Sequence, residues 1–146
     1  MTVAIACDHV GVFLKNVVIK YLSENNVEFI DFGTNDTASV HYPEYAVKVS
    51  RAIQRNEADF GILICGTGLG MSYAANKCAG IRAACVSDQF SAKMARAHND
   101  ANILCFGQNV VGAGVAVELV DIFLKTEFVG EHHKIRVDMI NNITPN

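Results

Sequence analysis

The stretch that most constrains this chain is Gly61-Ile62-Leu63-Ile64-Cys65-Gly66-Thr67-Gly68-Leu69-Gly70. Gly61 to Ile64 read as the end of a buried strand, and the glycine loop beyond them opens onto Met71 to Lys77, which reads as a helix. A strand, a glycine loop and a helix in that order form an anion-binding nest, because bare backbone N–H groups and the helix dipole both point into the loop. Cys65 stands at the mouth of the nest. There the positive helix end favours the thiolate, the form of cysteine that acts as nucleophile or base. Two other readings stay open on these residues alone. Gly66, Gly68 and Gly70 approach the dinucleotide fingerprint G-x-G-x-x-G, with Asp88 about twenty residues on as a ribose ligand, although the third glycine falls one residue early. Cys65 could also be an inert core thiol, since free cysteine is among the most buried residues. Its place at the end of the strand rather than its middle favours function.

The 146 residues suffice for a single domain, 1–146, that buries about two thirds of its unfolded surface without staples. A formal charge of −3 and the absence of basic runs leave no footprint for nucleic acid or an anionic membrane. No apolar run reaches the ~18 residues of a membrane span, and the N-terminus has no signal-peptide pattern. The five cysteines are odd in number and show no C-x-x-C, which implies free thiols in a reducing cytoplasm. His9, His41, His98, His132 and His133 have no metal-motif spacing, so no metal site is implied.

Along the chain, Val3 to Cys7 reads as a strand ending in Asp8-His9, and a helix follows from Val12 to Glu24 with apolar residues Phe13, Val17, Tyr21 and Leu14, Val18, Leu22 at helical spacing. Glu28 to Phe32 alternates like a strand, and Gly33 to Val40 is a polar loop. Pro43 starts a helix that runs to Arg55. Past the glycine loop, Arg82 to Val86 is a fourth strand, Ser87 or Asp88 caps a helix ending near His98-Asn99, and Ile103 to Phe106 is a fifth strand. Helices to Lys125 and from His132 to Asn141 complete the chain. This alternation predicts an α/β fold, a Rossmann-like three-layer sandwich with a five-stranded parallel sheet and helices on both faces. Right-handed crossovers put the carboxyl ends of all strands on one edge. With the first strand beside the third and the second outside it, the crevice between them is a topological switch point that holds Asp8-His9 and Cys65-Gly66-Thr67 together. His98-Asn99 falls at the wrong end of its crossover for that edge, and so is expected to reach a crevice in another subunit.

Such a set suits removal of a proton from carbon beside a carbonyl: a thiolate takes the proton while Thr67 and the loop amides hold the enediolate oxygen, although the same loop could hold phosphate. A histidine, which exchanges protons at neutral pH, suits the opening of a cyclic sugar, and Asp8 could orient it or relay the proton. Each residue also has a plainer role: Asp8 as a turn former, His98 as a cation at a helix C-terminus, His132-His133-Lys134-Arg136 as a solvated helix face.

The motifs Cys7-Asp8-His9, Asp31-Phe32-Gly33-Thr34, Tyr42-Pro43, Gly61 to Gly70, Ala74-Ala75-Asn76-Lys77, Gly80-Ile81-Arg82-Ala83 and His98-Asn99-Asp100-Ala101-Asn102 occur in order over nearly the whole chain. Together they resemble the ribose-5-phosphate isomerase B family, with its related allose-6-phosphate and galactose-6-phosphate isomerases. The resemblance implies a metal-free, cofactor-free cytoplasmic aldose–ketose isomerase of ribose 5-phosphate, working as a homodimer or homotetramer whose active sites are shared between protomers. It gives Cys65 the role of proton-transfer base, Thr67 that of its partner at the enediolate oxygen, and His98 ring opening, with Asp8 beside the sugar hydroxyls. Asn99 and the loop through Gly66, Gly68 and Gly70 would hold the sugar, and His9 and Arg136 the phosphate. Asn109 and His132 stand where members usually carry phosphate-binding arginines, and neutral side chains lack the bidentate fork that matches phosphate. His41 replaces a common aspartate, as in one subunit of galactose-6-phosphate isomerase. Another sugar therefore remains an alternative substrate. A dinucleotide-binding oxidoreductase, a non-catalytic sugar-phosphate binding module and one subunit of a hetero-oligomeric isomerase are the readings from other classes.

Overall fold

A computed structural model describes residues 1–143. The elements run β1 (Thr2–Cys7), α1 (Val12–Glu24), β2 (Glu28–Asp31), α2 (Tyr42–Gln54), β3 (Phe60–Cys65), α3 (Leu69–Ala75), β4 (Ala83–Cys85), α4 (Gln89–Ala97), β5 (Ile103–Gly107), α5 (Ala113–Lys125) and α6 (Glu131–Asn141). The strands form one parallel five-stranded sheet in the order β2-β1-β3-β5-β4. The first strand neighbours the third with the second outside, as the switch-point argument requires.

Side-chain alternation along the strands divides the core in two. Val3, Ile5, Ile62, Ile64, Leu104 and Phe106 meet α1, α4 and α5 on one face. Ala4, Ala6, Leu63, Cys65, Ile103 and Cys105 meet α2 and α3 on the other. Both faces are thus covered, and Cys65 belongs to the layer that carries the helix after its own loop.

Several boundaries move from the sequence expectation. Helix α3 starts at Leu69 rather than Met71, because Gly68 takes the left-handed conformation at φ +84° and turns the chain into the helix at once. It stops before Lys77 because the Asn76 side chain pairs with edge strand β4, donating to the Ala83 carbonyl at 2.9 Å and accepting from the Ala83 N–H at 2.8 Å. Strand β4 is only three residues long, so Arg82 and Val86 lie outside it. Asp88, not Ser87, caps α4, accepting from the Ser91 N–H at 2.8 Å. Of the two apolar stripes on α1, Leu14-Val18-Leu22 enters the core, whereas Phe13 is 61% exposed.

One core contact contradicts what its residue type implies. Lys15 is fully buried on α1. Its Nζ donates to both oxygens of Asp31, at 2.7 and 2.6 Å, and to Asn35 Oδ1 at 2.6 Å. The same Asp31 accepts from the Gly33 N–H at 2.8 Å, and the Gly33 carbonyl accepts from the Cys7 N–H. The ammonium therefore ties α1 to the segment leaving β2 and, through it, to the end of β1. Lys15 is the buried member of the pair, whereas the Asp31 side chain is 25% exposed, so removing the ammonium forfeits its charge-assisted hydrogen bonds at a cost of about 2 kcal/mol. Lys15→Met is expected to lower unfolding stability in urea by about that amount, and a change in midpoint no larger than that of Lys20→Met would contradict the assignment.

Candidate active site

The ladder that holds β3 between β1 and β5 continues past the strand ends. Asp8 N–H donates to the Ile64 carbonyl at 3.1 Å, Gln108 N–H to the Cys65 carbonyl at 2.8 Å, and Asn109 N–H to the Gly66 carbonyl at 3.0 Å. Three loops, beginning at Asp8, Gly66 and Gln108, are thereby held side by side at the carboxyl edge. Their approach is close enough to demand glycine. A Cβ on Gly107 would stand 2.4 Å from Thr67 Cα, and one on Gly68 would stand 2.8 Å from Phe106 Cα.

Within this edge Cys65 is 5% exposed, and its Sγ accepts a hydrogen bond from the Gly68 N–H at 3.1 Å. Cys7 and Cys85 act in the opposite sense: their thiols donate to the carbonyls of Thr34 and Thr67, at 3.4 and 3.6 Å. Burial pushes the Cys7 thiol up to about 12 and raises those of Cys105 and Cys85 as well, the last also through nearby Cys65. Those three sulfurs are held as thiols, whereas Cys65 alone is placed to receive a backbone amide. The amides of Thr67, Gly70 and Met71 donate to no group among the described residues. The loop thus presents unused N–H donors next to a sulfur, as the nest reading expects.

Around it, the exposed Thr67 Oγ1 accepts from the Leu69 N–H at 3.3 Å, which leaves its hydroxyl proton free to donate outward. Asp8 is both a turn residue and more than one. Its Oδ1 accepts from the amides of Val10 and Gly11 at 2.9 and 3.1 Å, while Oδ2 accepts no hydrogen bond among the described residues. His9 Nδ1 accepts from the Val40 N–H at 3.3 Å, which places the imidazole proton on Nε2 as a donor. Asn109 is exposed, with its Nδ2 over Gly66. Tyr42, which sequence reasoning treated only as part of a motif, lies on Gly70 so closely that a Cβ there would meet its ring at 2.6 Å.

The remaining expected residues gather elsewhere. Asn102 carbonyl accepts from the Gly61 N–H, and Arg82 Nε donates to the carbonyls of Asn99 and Asp100 at 3.2 and 2.9 Å, so the turn after α4 sits at the amino edge of the sheet. His98 and Asn99 are therefore a strand's length from Cys65, on the opposite edge. Helix α6 joins them there: Val129 N–H donates to the Ala97 carbonyl at 3.0 Å, and the rings of His98 and His133 stack with centroids 4.0 Å apart. His132 packs on His133 at 4.1 Å, and Arg136 is exposed one turn on. A cavity of about 630 Å³ also lies on this side, between Asn76–Ala84, Asn99 and Ile140–Ile143. Of the expected site residues only Asn99 lines it. One chain thus carries two separated groups: Asp8, His9, Cys65, Gly66, Thr67, Gly68, Gly70 and Asn109 at the carboxyl edge, and His98, Asn99, His132 and Arg136 at the amino edge.

Among the described residues no cluster of three or more His, Cys, Asp and Glu side chains is arranged to hold a metal ion, and no helix is long and apolar enough to cross a membrane.

Comparison with known proteins places this architecture. A family model described as Ribose/Galactose Isomerase matches residues 3–140. The chain is 48% identical over 141 residues to ribose-5-phosphate isomerase B of Escherichia coli strain K12, a match covering 97% of this chain and 95% of that protein. It is 46% identical over 143 residues to ribose-5-P isomerase B of Listeria innocua, covering 98% and 97%. The solved structure of Clostridium thermocellum ribose-5-phosphate isomerase B superposes with a TM-score of 0.95 at 48% identity, covering 97% of this chain and 95% of that one. That of Mycoplasma genitalium ribose-5-phosphate isomerase B, solved with bound ribulose-5-phosphate, superposes with a TM-score of 0.92 at 39% identity, covering 96% and 93%. The match runs over nearly the whole length in both sequence and fold, and this chain belongs to the ribose/galactose isomerase family.

Proposed function

We propose that this chain is an aldose–ketose isomerase interconverting ribose 5-phosphate and ribulose 5-phosphate through a cis-enediolate. The observation that carries the reading is the Cys65 sulfur, set at the end of β3, accepting the Gly68 N–H and bordered by unused loop amides. A thiolate there takes the proton from C2 of the open-chain aldose. The electrons move toward the carbonyl oxygen, where the Thr67 hydroxyl and the free N–H groups hold the developing charge. The O2 hydroxyl proton passes to O1, and return of the first proton from the Cys65 thiol to C1 completes the ketose, so no electrons leave the substrate and no redox cofactor takes part.

A cyclic aldose must open first. The C1 hydroxyl loses a proton, the C1–O4 bond breaks, and O4 gains a proton. His98 is assigned this exchange, since imidazole both takes and gives protons near neutral pH. Asp8 Oδ2 accepts from sugar hydroxyls, and Asn99 and the loop at Gly66, Gly68 and Gly70 hold the sugar. His9 Nε2–H, Asn109, His132 and Arg136 meet the phosphate.

Because these groups lie on opposite edges of one sheet, the assignment needs a second copy that brings its amino edge to the first copy's carboxyl edge. The outer face of α6 supports this. Ile135 and Met139 are 63% and 66% exposed, and Ile143, just past the helix, is 74% exposed, an i, i+4, i+8 stripe that a monomer leaves in water. A symmetric dimer, alone or paired into a tetramer, covers it twice and completes two sites. The free cysteines suit a cytoplasmic enzyme. With Asn109 and His132 in the phosphate group, Arg136 is its only guanidinium, which keeps allose 6-phosphate, galactose 6-phosphate and unphosphorylated aldoses as the second reading.

Turnover of ribose 5-phosphate, beside allose 6-phosphate, galactose 6-phosphate and free ribose and allose with a chelator present, tests the substrate. Fast conversion of ribose 5-phosphate alone is expected; preference for another sugar would move the substrate, and no turnover of any would overturn the isomerase reading. Cys65→Ala is expected to lower kcat by about a thousandfold or more with little change in thermal unfolding, and near-normal turnover would contradict the base assignment. His98→Ala should cost more on ribose 5-phosphate than on ribulose 5-phosphate, which has no ring to open; equal losses would count against the ring-opening role.

A further inference from the structure

The imidazole of His98 is held by very little. The helix end fixes its backbone, with His98 N–H donating to the Met94 carbonyl at 2.9 Å, but among the described residues neither ring nitrogen makes a hydrogen bond to the protein. What the ring does touch is another imidazole. His133 lies over it almost face to face, with centroids 4.0 Å apart and planes 9° from parallel. The placement is built into the backbone. Val129 N–H donates to the carbonyl of Ala97, immediately before His98; Gly130 then turns the chain at φ +73°, and His133 N–H donates back to the Gly130 carbonyl at 3.0 Å. His132 packs on His133 at 4.1 Å.

From this stack we infer that His133 is a positioning residue for ring opening: its ring fixes the plane in which His98 exchanges a proton with the cyclic sugar. The inference rests on the ring-opening role proposed for His98. Two stacked imidazoliums would repel, so the arrangement works when the supporting ring stays neutral. The groups facing His133 push it that way. Burial, then the positive charge of His132, of His98 at the end of α4 and of Arg136, lower its pKa from the ordinary histidine value, against an opposing pull from Glu131. A neutral plate leaves His98 as the member of the pair that takes up the proton from the sugar. Loss of the plate frees rotation about the His98 side chain, and small misplacements of a proton-transfer group are costly.

The experiment compares the full-length wild type with His133→Ala and His133→Phe, since phenylalanine keeps a flat stacking ring and carries no proton. On ribose 5-phosphate, His133→Ala is expected to lower kcat by about tenfold or more, whereas on ribulose 5-phosphate it changes kcat by less than about threefold. His133→Phe is expected to restore both rates to within about threefold of wild type. Independently of turnover, the ring-proton resonances of His98 should carry an upfield ring-current shift in wild type and His133→Phe that disappears in His133→Ala. Equal losses on both sugars, no loss in His133→Ala, failure of phenylalanine to rescue, or His98 resonances that do not move would each overturn the inference. A wild type inactive on both sugars overturns the isomerase reading and this inference with it, whereas an active wild type with equal losses overturns this inference alone.

Discussion

The site depends on the register of β3 between its two neighbours. Cys7 pairs with Ile64 and Cys65 with Gly107, so the two parallel partners end within a residue of the central strand. The backbone bonds at Asp8, Gln108 and Asn109 then carry the ladder into three adjacent loops. A one-residue slip would turn Cys65 to the other face of the sheet. It would also set a side chain where Gly107 now lets Thr67 approach. The placement of Cys65 is in this sense an extension of strand pairing. The sulfur's position, its amide partner at Gly68 and the neighbouring carboxylate of Asp8 all follow from one run of backbone hydrogen bonds.

The same parallel topology explains why the remaining residues cannot join them within one chain. A crossover returns to the amino edge before the next strand begins, and His98-Asn99 lies on such a return, between α4 and β5. Helix α6 is pinned to that turn through Val129 and Ala97, so His132, His133 and Arg136 share its edge. The helix buries only Val137 among its residues against its own chain. A helix so weakly held, with an apolar stripe facing outward, is the element that the proposed second copy would cover. Under the proposed assembly the catalytic groups and the oligomer would be one structure, and stability of the assembly would contribute directly to activity.

Much of this was legible in the chain because the relevant signals are local. The strand-loop-helix stretch around Cys65, the alternation of strands and helices, a cap at Ser87 or Asp88 and the misplaced position of His98 follow from neighbouring residues and from the geometry of crossovers. The features that were not legible are contacts between distant segments. Lys15 finds its partners, Asp31 and Asn35, sixteen and twenty residues further along the chain. The Tyr42 ring on Gly70 joins segments twenty-eight residues apart, and the stack of His98 on His133 joins segments thirty-five apart. Phe13 carries a core-like signal yet stays exposed, because periodicity marks a helix face without saying which of two adjoining stripes meets the sheet. A lysine one place from Leu14 on the buried stripe of α1 was the one available hint of the Lys15 ion pair.

Subunit complementation tests the central claim, that Cys65 of one copy works with His98 of another. Cys65→Ala and His98→Ala proteins, each inactive on ribose 5-phosphate by itself, are mixed, dissociated and reassembled. Random pairing makes about half of the dimers mixed, and each mixed dimer carries one intact site of two. The account predicts recovery of about a quarter of wild-type turnover. A mixture that remains as inactive as its components, although mixed dimers form, would place both residues of each site on one chain and contradict it.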